Sequence, residues 1–232
     1  MSAALPWLPQ GTVYGALLNF RREWDLWAPQ MTEAPYKAAP QAPVLYIKTA
    51  NTFAPCGAAI AVPDEVDVGA TLGLVIGGFE EKLPPALAES AQAATKKEAG
   101  GLHRIAGCVL LNDLSLPHAS YYRPPIKFRN RDGFLGCGPV LQAVPDLSTL
   151  ALELRINDTL AQRIELSTLV RDAATLLRDV SEFMTLQAGD VLMLGTDCLP
   201  DGTRLRAKAG DRIEISAPDF APLVNTLVED AA

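Results

Sequence analysis

Histidine is almost missing from this chain, with two in 232 residues, His103 and His118. A His-based triad or a two-His metal site would use nearly all of them, so chemistry is sought among carboxylates and cations instead. The four cysteines, Cys56, Cys108, Cys137 and Cys198, lie far apart and form no CxxC pair. That spacing argues against a zinc knuckle or a thioredoxin-type motif and predicts reduced thiols in a cytoplasmic protein. No stretch reaches the roughly 18 apolar residues of a membrane span, and Met1 to Pro9 lacks the basic start and apolar run of a secretory leader. Positive charge is also short: 20 Lys and Arg stand against 27 Asp and Glu, a net charge of −7. Such a field disfavours nucleic acid and anionic membranes as partners. GxGxxG opening a helix, GxxxxGK[ST], GxSxG and HExxH do not occur, which leaves dinucleotide, P-loop and serine-hydrolase readings without support.

What is present is a globular composition, 49% hydrophobic and 20% charged. It excludes disorder, collagen and coiled coil, and the length predicts one domain over residues 1–232. Short β-branched runs flanked by Gly, Pro or Asp predict strands at Thr12–Leu18, Val44–Lys48, Leu72–Ile76, Ile105–Leu111, Ala151–Ile156, Val191–Leu194 and Arg212–Ile215. Leu152, Leu154 and Ile156 alternate with Glu153 and Arg155. Asn157-Asp158 then reads as a turn, with Arg163–Leu166 as the returning strand. Apolar residues at helical spacing predict a helix over about Leu169–Met184, capped by Ser167 or Thr168. An Ala-rich segment, Ala86–Glu98, predicts another that stops at Gly100-Gly101. The proline-rich stretch Ala28–Pro43 reads as an extended loop. Many strands and few helices, without regular βα alternation, give an α+β fold.

One reversal of charge stands out. Arg123, Lys127, Arg129 and Arg131 place four cations within nine residues, interleaved with Tyr121, Tyr122 and Phe128. A desolvated polycarboxylate needs paired cationic donors of this kind, although a solvated basic loop has the same composition. Asp113, in Asn112-Asp113-Leu114-Ser115 directly after an apolar run, is placed either to hold a hard cation or a water, or to cap the next turn. Gly195-Thr196, leaving the apolar run Val191–Leu194, would let a ligand carboxylate approach backbone and hydroxyl donors.

Taken in order, several phrases resemble the fumarylacetoacetate hydrolase family over about residues 11–228. They are Gly15-Ala-Leu-Leu-Asn19, Pro43-Val-Leu-Tyr-Ile-Lys48, Leu72-Gly-Leu-Val-Ile-Gly77, Gly107-Cys-Val-Leu-Leu-Asn112-Asp113-Leu-Ser115, Arg129-Asn-Arg-Asp132-Gly-Phe134, Gly138-Pro139, Leu186-Gln-Ala-Gly189-Asp190 with Gly195-Thr196, and Ala209-Gly210-Asp211. Ser115-Leu-Pro, Tyr122-Arg123-Pro and Ile126-Lys127 look most like the branch of decarboxylase/isomerases that acts in 4-hydroxyphenylacetate (homoprotocatechuate) breakdown. Within that branch the similarity is to the N-terminal half or a separate small subunit.

The resemblance implies a mixed β-sheet roll, usually dimeric, with Mg²⁺ or Mn²⁺ held by a Glu-x-Glu pair and by the Asp of the Asn-Asp-x-Ser motif. It implies decarboxylation of 5-carboxymethyl-2-oxo-hex-3-ene-1,7-dioate, isomerisation of 2-hydroxyhepta-2,4-diene-1,7-dioate, or both. Asp113, Lys127 and Arg129 would then be catalytic, Arg123, Gly195 and Thr196 would bind substrate, and Asp113 would hold the metal. The sequence departs from the family at the Glu-x-Glu positions, which fall on Gly69 and Thr71. It also departs at the His-x-x-Glu dyad of the hydrolases, because Asn19 is followed by Phe20-Arg21-Arg22-Glu23. Water-activating hydrolysis is therefore not expected. Alternatives are another 2-oxo acid decarboxylase, or a non-catalytic 2-oxo dicarboxylate binder that joins a sister subunit in a homodimer or hetero-oligomer.

Overall fold

A computed structural model describes residues 6–35, 37–77, 105–118, 126–139 and 144–230. Its centre is a pair of eleven-residue antiparallel strands, β5 (Val66–Ile76) and β6 (Ile105–Ser115), flanked by shorter ones. These are β1 (Val13–Leu17), β2 (Val44–Lys48), β3 (Phe53–Pro55), β7 (Leu135–Cys137), β10 (Val191–Met193) and β11 (Leu205–Ala207). The eight form one sheet in the order β2-β1-β10-β5-β6-β7-β3, with β11 also paired to β5. A second sheet has the order β4-β13-β12-β8-β9, from β4 (Ala59–Val62), β8 (Ala151–Ile156), β9 (Thr159–Glu165), β12 (Arg212–Ser216) and β13 (Leu223–Glu229). Both sheets mix parallel and antiparallel pairs, so the fold is the mixed-sheet α+β roll that the resemblance implies.

Alternation along the central strands divides the core in two. Leu72, Leu74 and Leu110 share one apolar cluster with Leu152, Leu154, Ile213 and Ile215 of the second sheet. The opposite face of β5 and β6 carries a smaller cluster of Val109, Leu111, Val191 and Met193, packed with Tyr46. Residues directly opposite each other in an antiparallel pair project to the same side. Asp67, Gly69 and Thr71 therefore share this second face with Ser115, Asp113 and Leu111, their register partners.

Three helices are described: α1 (Arg21–Met31), α2 (Ile126–Arg129) and α3 (Ala173–Ser181). The loop expected at Ala28–Pro43 begins too early, because α1 runs through Pro29. It escapes periodicity because its buried residues are Glu23 and Met31, not an apolar stripe. The helix expected from Leu169 starts at Ala173. Its cap is Asp172, whose side chain accepts from Thr175 N at 2.8 Å, whereas residues 166–168 form a separate 3-10 turn. Asn112-Asp113 does not leave a strand end: β6 continues through both, paired to β5 and β7. The turn at Asn157-Asp158 has φ of 50° and 65°, the two positive values a tight hairpin needs, and the return strand begins at Thr159. The helix expected at residues 86–98 lies outside the described residues. Among the described residues no helix is long and apolar enough to cross a membrane.

Candidate active site

Strand β2 alternates in an unusual phase. Ile47 points outward while Tyr46 and Lys48 are buried, so the strand sends a phenol and an ammonium inward. Across the sheet face they meet Asp113. Lys48 Nζ lies 2.7 Å from Asp113 Oδ1 and is surrounded by the carbonyls of Leu114, Arg129 and Phe134 at 2.6–2.8 Å. With three N–H donors and four oxygens in reach, the ammonium is saturated. Tyr46 donates its hydroxyl to Asp113 Oδ2. The Arg129 guanidinium approaches the same oxygen at 3.2 Å and stacks 4.3 Å above the Tyr46 ring. Oδ2 is thus engaged by a phenol and a guanidinium, while Oδ1 is held by the charge of the ammonium.

Electrostatics follow from this packing. Burial alone would push the Asp113 carboxyl up, but Lys48 and Arg129 outweigh it and hold the group below its ordinary value. Burial lowers the Lys48 ammonium to about 8, with Asp113 opposing the shift. Burial, followed by the Asp113 charge, raises Tyr46 well above 10, so the phenol stays a donor.

Beside this cluster the sheet face carries a recess of about 20 Å³, walled by Asp67, Gly69, Asp113, Ser115, Arg129, Thr196 and Arg204 among others. It shares Asp67 and Arg204 with an open groove of about 650 Å³ between α1 and the β11 strand, where Trp27, His118 and Arg206 also lie. Arg204 donates to Thr196 Oγ1 at 2.8 Å and to its carbonyl at 3.1 Å, and its other amine pairs with Glu23. Arg206 reaches Asp67 at 3.4 Å. His118 stacks on Phe128 at 5.3 Å, with Nδ1 2.9 Å from Leu116 O.

Of the residues expected from sequence, Asp113, Arg129 and Thr196 come together around the recess. Lys127 does not: it is exposed and lines neither space, because a helix turns about 200° over the two residues that separate it from buried Arg129. Gly195 also lines neither space; its φ of 107° and the 2.8 Å from an added Cβ to Ala16 O call for glycine on backbone grounds. Arg123 lies outside the described residues. Sequence reasoning missed Glu23 and Arg204 as site residues, and quoted Tyr46 and Lys48 only as part of a motif. The inward phase of β2 was a usable signal for Tyr46 and Lys48, whereas nothing local marks Arg204. The thiols are poor nucleophile candidates: all four are free, and burial pushes Cys108 and Cys137 up to about 12.

The family model for the fumarylacetoacetate (FAA) hydrolase C-terminal domain matches residues 12–228. The 4-hydroxyphenylacetate degradation bifunctional isomerase/decarboxylase of Escherichia coli is 37% identical over 224 residues, covering 95% of this chain and 48% of that protein. The homoprotocatechuate catabolism bifunctional isomerase/decarboxylase of the same species is 36% identical over the same lengths. The chain therefore spans about half the length of the curated relatives it matches. Among solved structures, a 5-carboxymethyl-2-hydroxymuconate delta-isomerase from Mycobacterium smegmatis superposes with a TM-score of 0.69 at 24% identity, covering 95% of this chain and 80% of its own. Maleylpyruvate hydrolase from Sphingobium sp. SYK-6, solved with manganese and pyruvate, shares the fold with a TM-score of 0.66 at 20% identity, covering 97% and 72%.

A divalent metal of that kind does not fit the residues here. Of the three positions that the resemblance assigns to ligands, Gly69 has no side chain and Thr71 offers one hydroxyl. The third, Asp113, already carries Lys48, Tyr46 and Arg129. Among the described residues no group of three His, Cys, Asp or Glu side chains could hold a metal ion. Asp113, expected from the resemblance to hold the metal, has fixed cations and a phenol as its partners among the described residues.

Proposed function

The chain belongs to the fumarylacetoacetate hydrolase family, and from that membership we propose that it is a decarboxylase/isomerase acting on a 2-oxo di- or tricarboxylate. The substrates are 5-carboxymethyl-2-oxo-hex-3-ene-1,7-dioate and the hydroxydiene formed when it loses CO₂. The observation that carries this reading is the placement of Arg129 and Arg204 in one recess, opening beside a groove large enough for the rest of such a molecule. Similarity to the bifunctional isomerase/decarboxylases supports it.

In the decarboxylation the C–CO₂ bond breaks, and its electron pair moves through the alkene onto the 2-oxo oxygen as a dienolate. Guanidinium donors set in a partly dry recess stabilise that oxygen because they need no reorganisation as charge develops. Protonation of the oxygen gives the hydroxydiene. Transfer of the hydroxyl proton to a chain carbon then restores the ketone with the double bond displaced, which is the isomerisation.

Asp67 is placed to carry that proton, since it lines both the recess and the groove. Burial pushes its carboxyl above the ordinary 3.8, against the pull of Arg206 and Arg204. The folded chain therefore keeps this proton to higher pH than the unfolded chain does. Stability from the group is full below 3.8 and is lost as pH rises through the folded value. The Asp67→Asn variant is expected to lack this loss in a series of thermal melts across pH, and to slow isomerisation more than CO₂ release. Equal slowing of both steps would remove Asp67 from the proton path.

The reading is tested by CO₂ release from the hexenetrioate with the purified chain alone. Turnover by the chain alone supports it. Turnover seen only after addition of a homologous sister chain would favour a second reading, that of a partner subunit, which suits a chain covering half of its curated relatives.

A further inference from the structure

The failure of the metal ligands to fit has a positive side. An ideal Cβ on Gly69 would lie 2.5 Å from Thr196 Cγ2 and 3.2 Å from Asp113 O, so the space a side chain would need at this position is filled by a methyl group. The Thr196 hydroxyl beside that methyl is held by Arg204. On the other flank of Asp113 stand Lys48 at 2.7 Å and Arg129 at 3.2 Å. A divalent ion on three carboxylates leaves one negative charge. Here Arg204 is balanced by Glu23, and Asp67 faces Arg206. Lys48 and Arg129 together meet the single carboxylate of Asp113, so the one positive charge in excess sits at Arg129 beside the recess and favours an incoming anion more strongly.

We infer that Lys48, Arg129 and Arg204 replace the divalent cation, so that the 2-oxo carboxylate group of a ligand lying in the groove binds at the mouth of the recess without metal. The inference rests on the decarboxylase/isomerase reading and adds the means of recognition. Lys48, saturated and buried, neutralises Asp113 from behind. Arg129 and Arg204 line the recess and, with amines already held by Asp113, Thr196 and Glu23, present fixed planar cations toward a ligand carboxylate. Thr196 positions Arg204 through its hydroxyl and closes the floor above Gly69.

The test uses oxalate, a planar dianion that copies the enolate of a 2-oxo acid, titrated calorimetrically into the full chain after dialysis against EDTA and again with Mn²⁺. Equal affinity in both conditions, within about twofold, is the expected result. Arg204→Gln should weaken oxalate binding at least about tenfold, the loss typical of a charge-assisted hydrogen bond. If that variant does not fold, Thr196→Val serves instead: it keeps the methyl over Gly69, removes the hydroxyl that orients Arg204, and should also weaken binding. Binding that appears only with Mn²⁺, or unchanged affinity in both variants, would overturn the inference and leave the enzymatic reading intact. No oxalate binding in either condition would overturn the inference too, while CO₂ release by the purified chain decides the enzymatic reading separately.

Discussion

Replacing Lys48 by methionine is expected to destabilise the chain by about 1–3 kcal/mol, the usual cost of leaving buried acceptors without their donor. Methionine fills a similar volume, so packing is nearly kept, and the loss is electrostatic. Asp113 would retain Arg129 and Tyr46, but the carbonyls of Leu114, Arg129 and Phe134 would lose their shared donor. Urea unfolding followed by circular dichroism measures the effect directly. Lys48→Met/Asp113→Asn should recover little of the loss, since Asp113 in the single variant still has Arg129 and Tyr46 while the carbonyls stay without a donor. A single variant within about 0.5 kcal/mol of the parent, the range of ordinary surface changes, would show that Lys48 is not holding the strands together. A pH signature accompanies this. Because burial lowers the folded ammonium to about 8 while the ordinary value is 10.5, the unfolded chain binds more protons across that window. The contribution of this group to stability therefore rises with pH from about 8 to 10.5, and Lys48→Met should lack the rise.

Arg129→Ala is expected to lower kcat/KM for CO₂ release by about 10²–10³-fold, the range seen when a donor to a developing oxyanion is deleted. The side chain stacks on Tyr46, pairs with Asp113 and faces the recess, so its loss also releases the geometry of its neighbours. Arg129→Lys separates the two contributions: it keeps the charge but loses the planar stack and the two-pronged donor. Activity intermediate between parent and alanine variant is the expected outcome, read from steady-state CO₂ release. Parental kinetics in Arg129→Ala, with the fold intact, would take this residue out of the site.

Sequence reasoning reached the fold class and most central strands because alternation of apolar residues is a local signal, and β2 and β8 match their expected bounds. It ended β6 too soon because Asn112-Asp113-Leu114-Ser115 has the composition of a turn. Only the registers with β5 and β7 show that Asp113 is held mid-strand. The basic segment was a mixed indicator: its cations look alike in sequence, yet Arg129 is buried at the site and Lys127 is in solvent. Arg204 was invisible, since its importance comes from partners far away along the chain, Glu23 in α1 and Thr196 after β10. Long-range pairing of that kind has no local pattern to read.

The methyl of Thr196 lying over Gly69 also governs which neighbouring sequences are reachable. A glutamate introduced at position 69 alone would drive its Cβ into that methyl, so the substitution is disfavoured before its carboxylate can do anything. Position 196 must shrink first, which frees the Arg204 guanidinium, and Lys48 must release Asp113. Any path from this arrangement to a carboxylate-rich one therefore crosses intermediates with neither set of interactions complete. The order of mutations matters, and chains on either side of that barrier are expected to diverge without interchanging. In directed evolution, single-site libraries at position 69 should return glycine, since any Cβ meets that methyl, while libraries that vary 48, 69, 71, 196 and 204 together can cross.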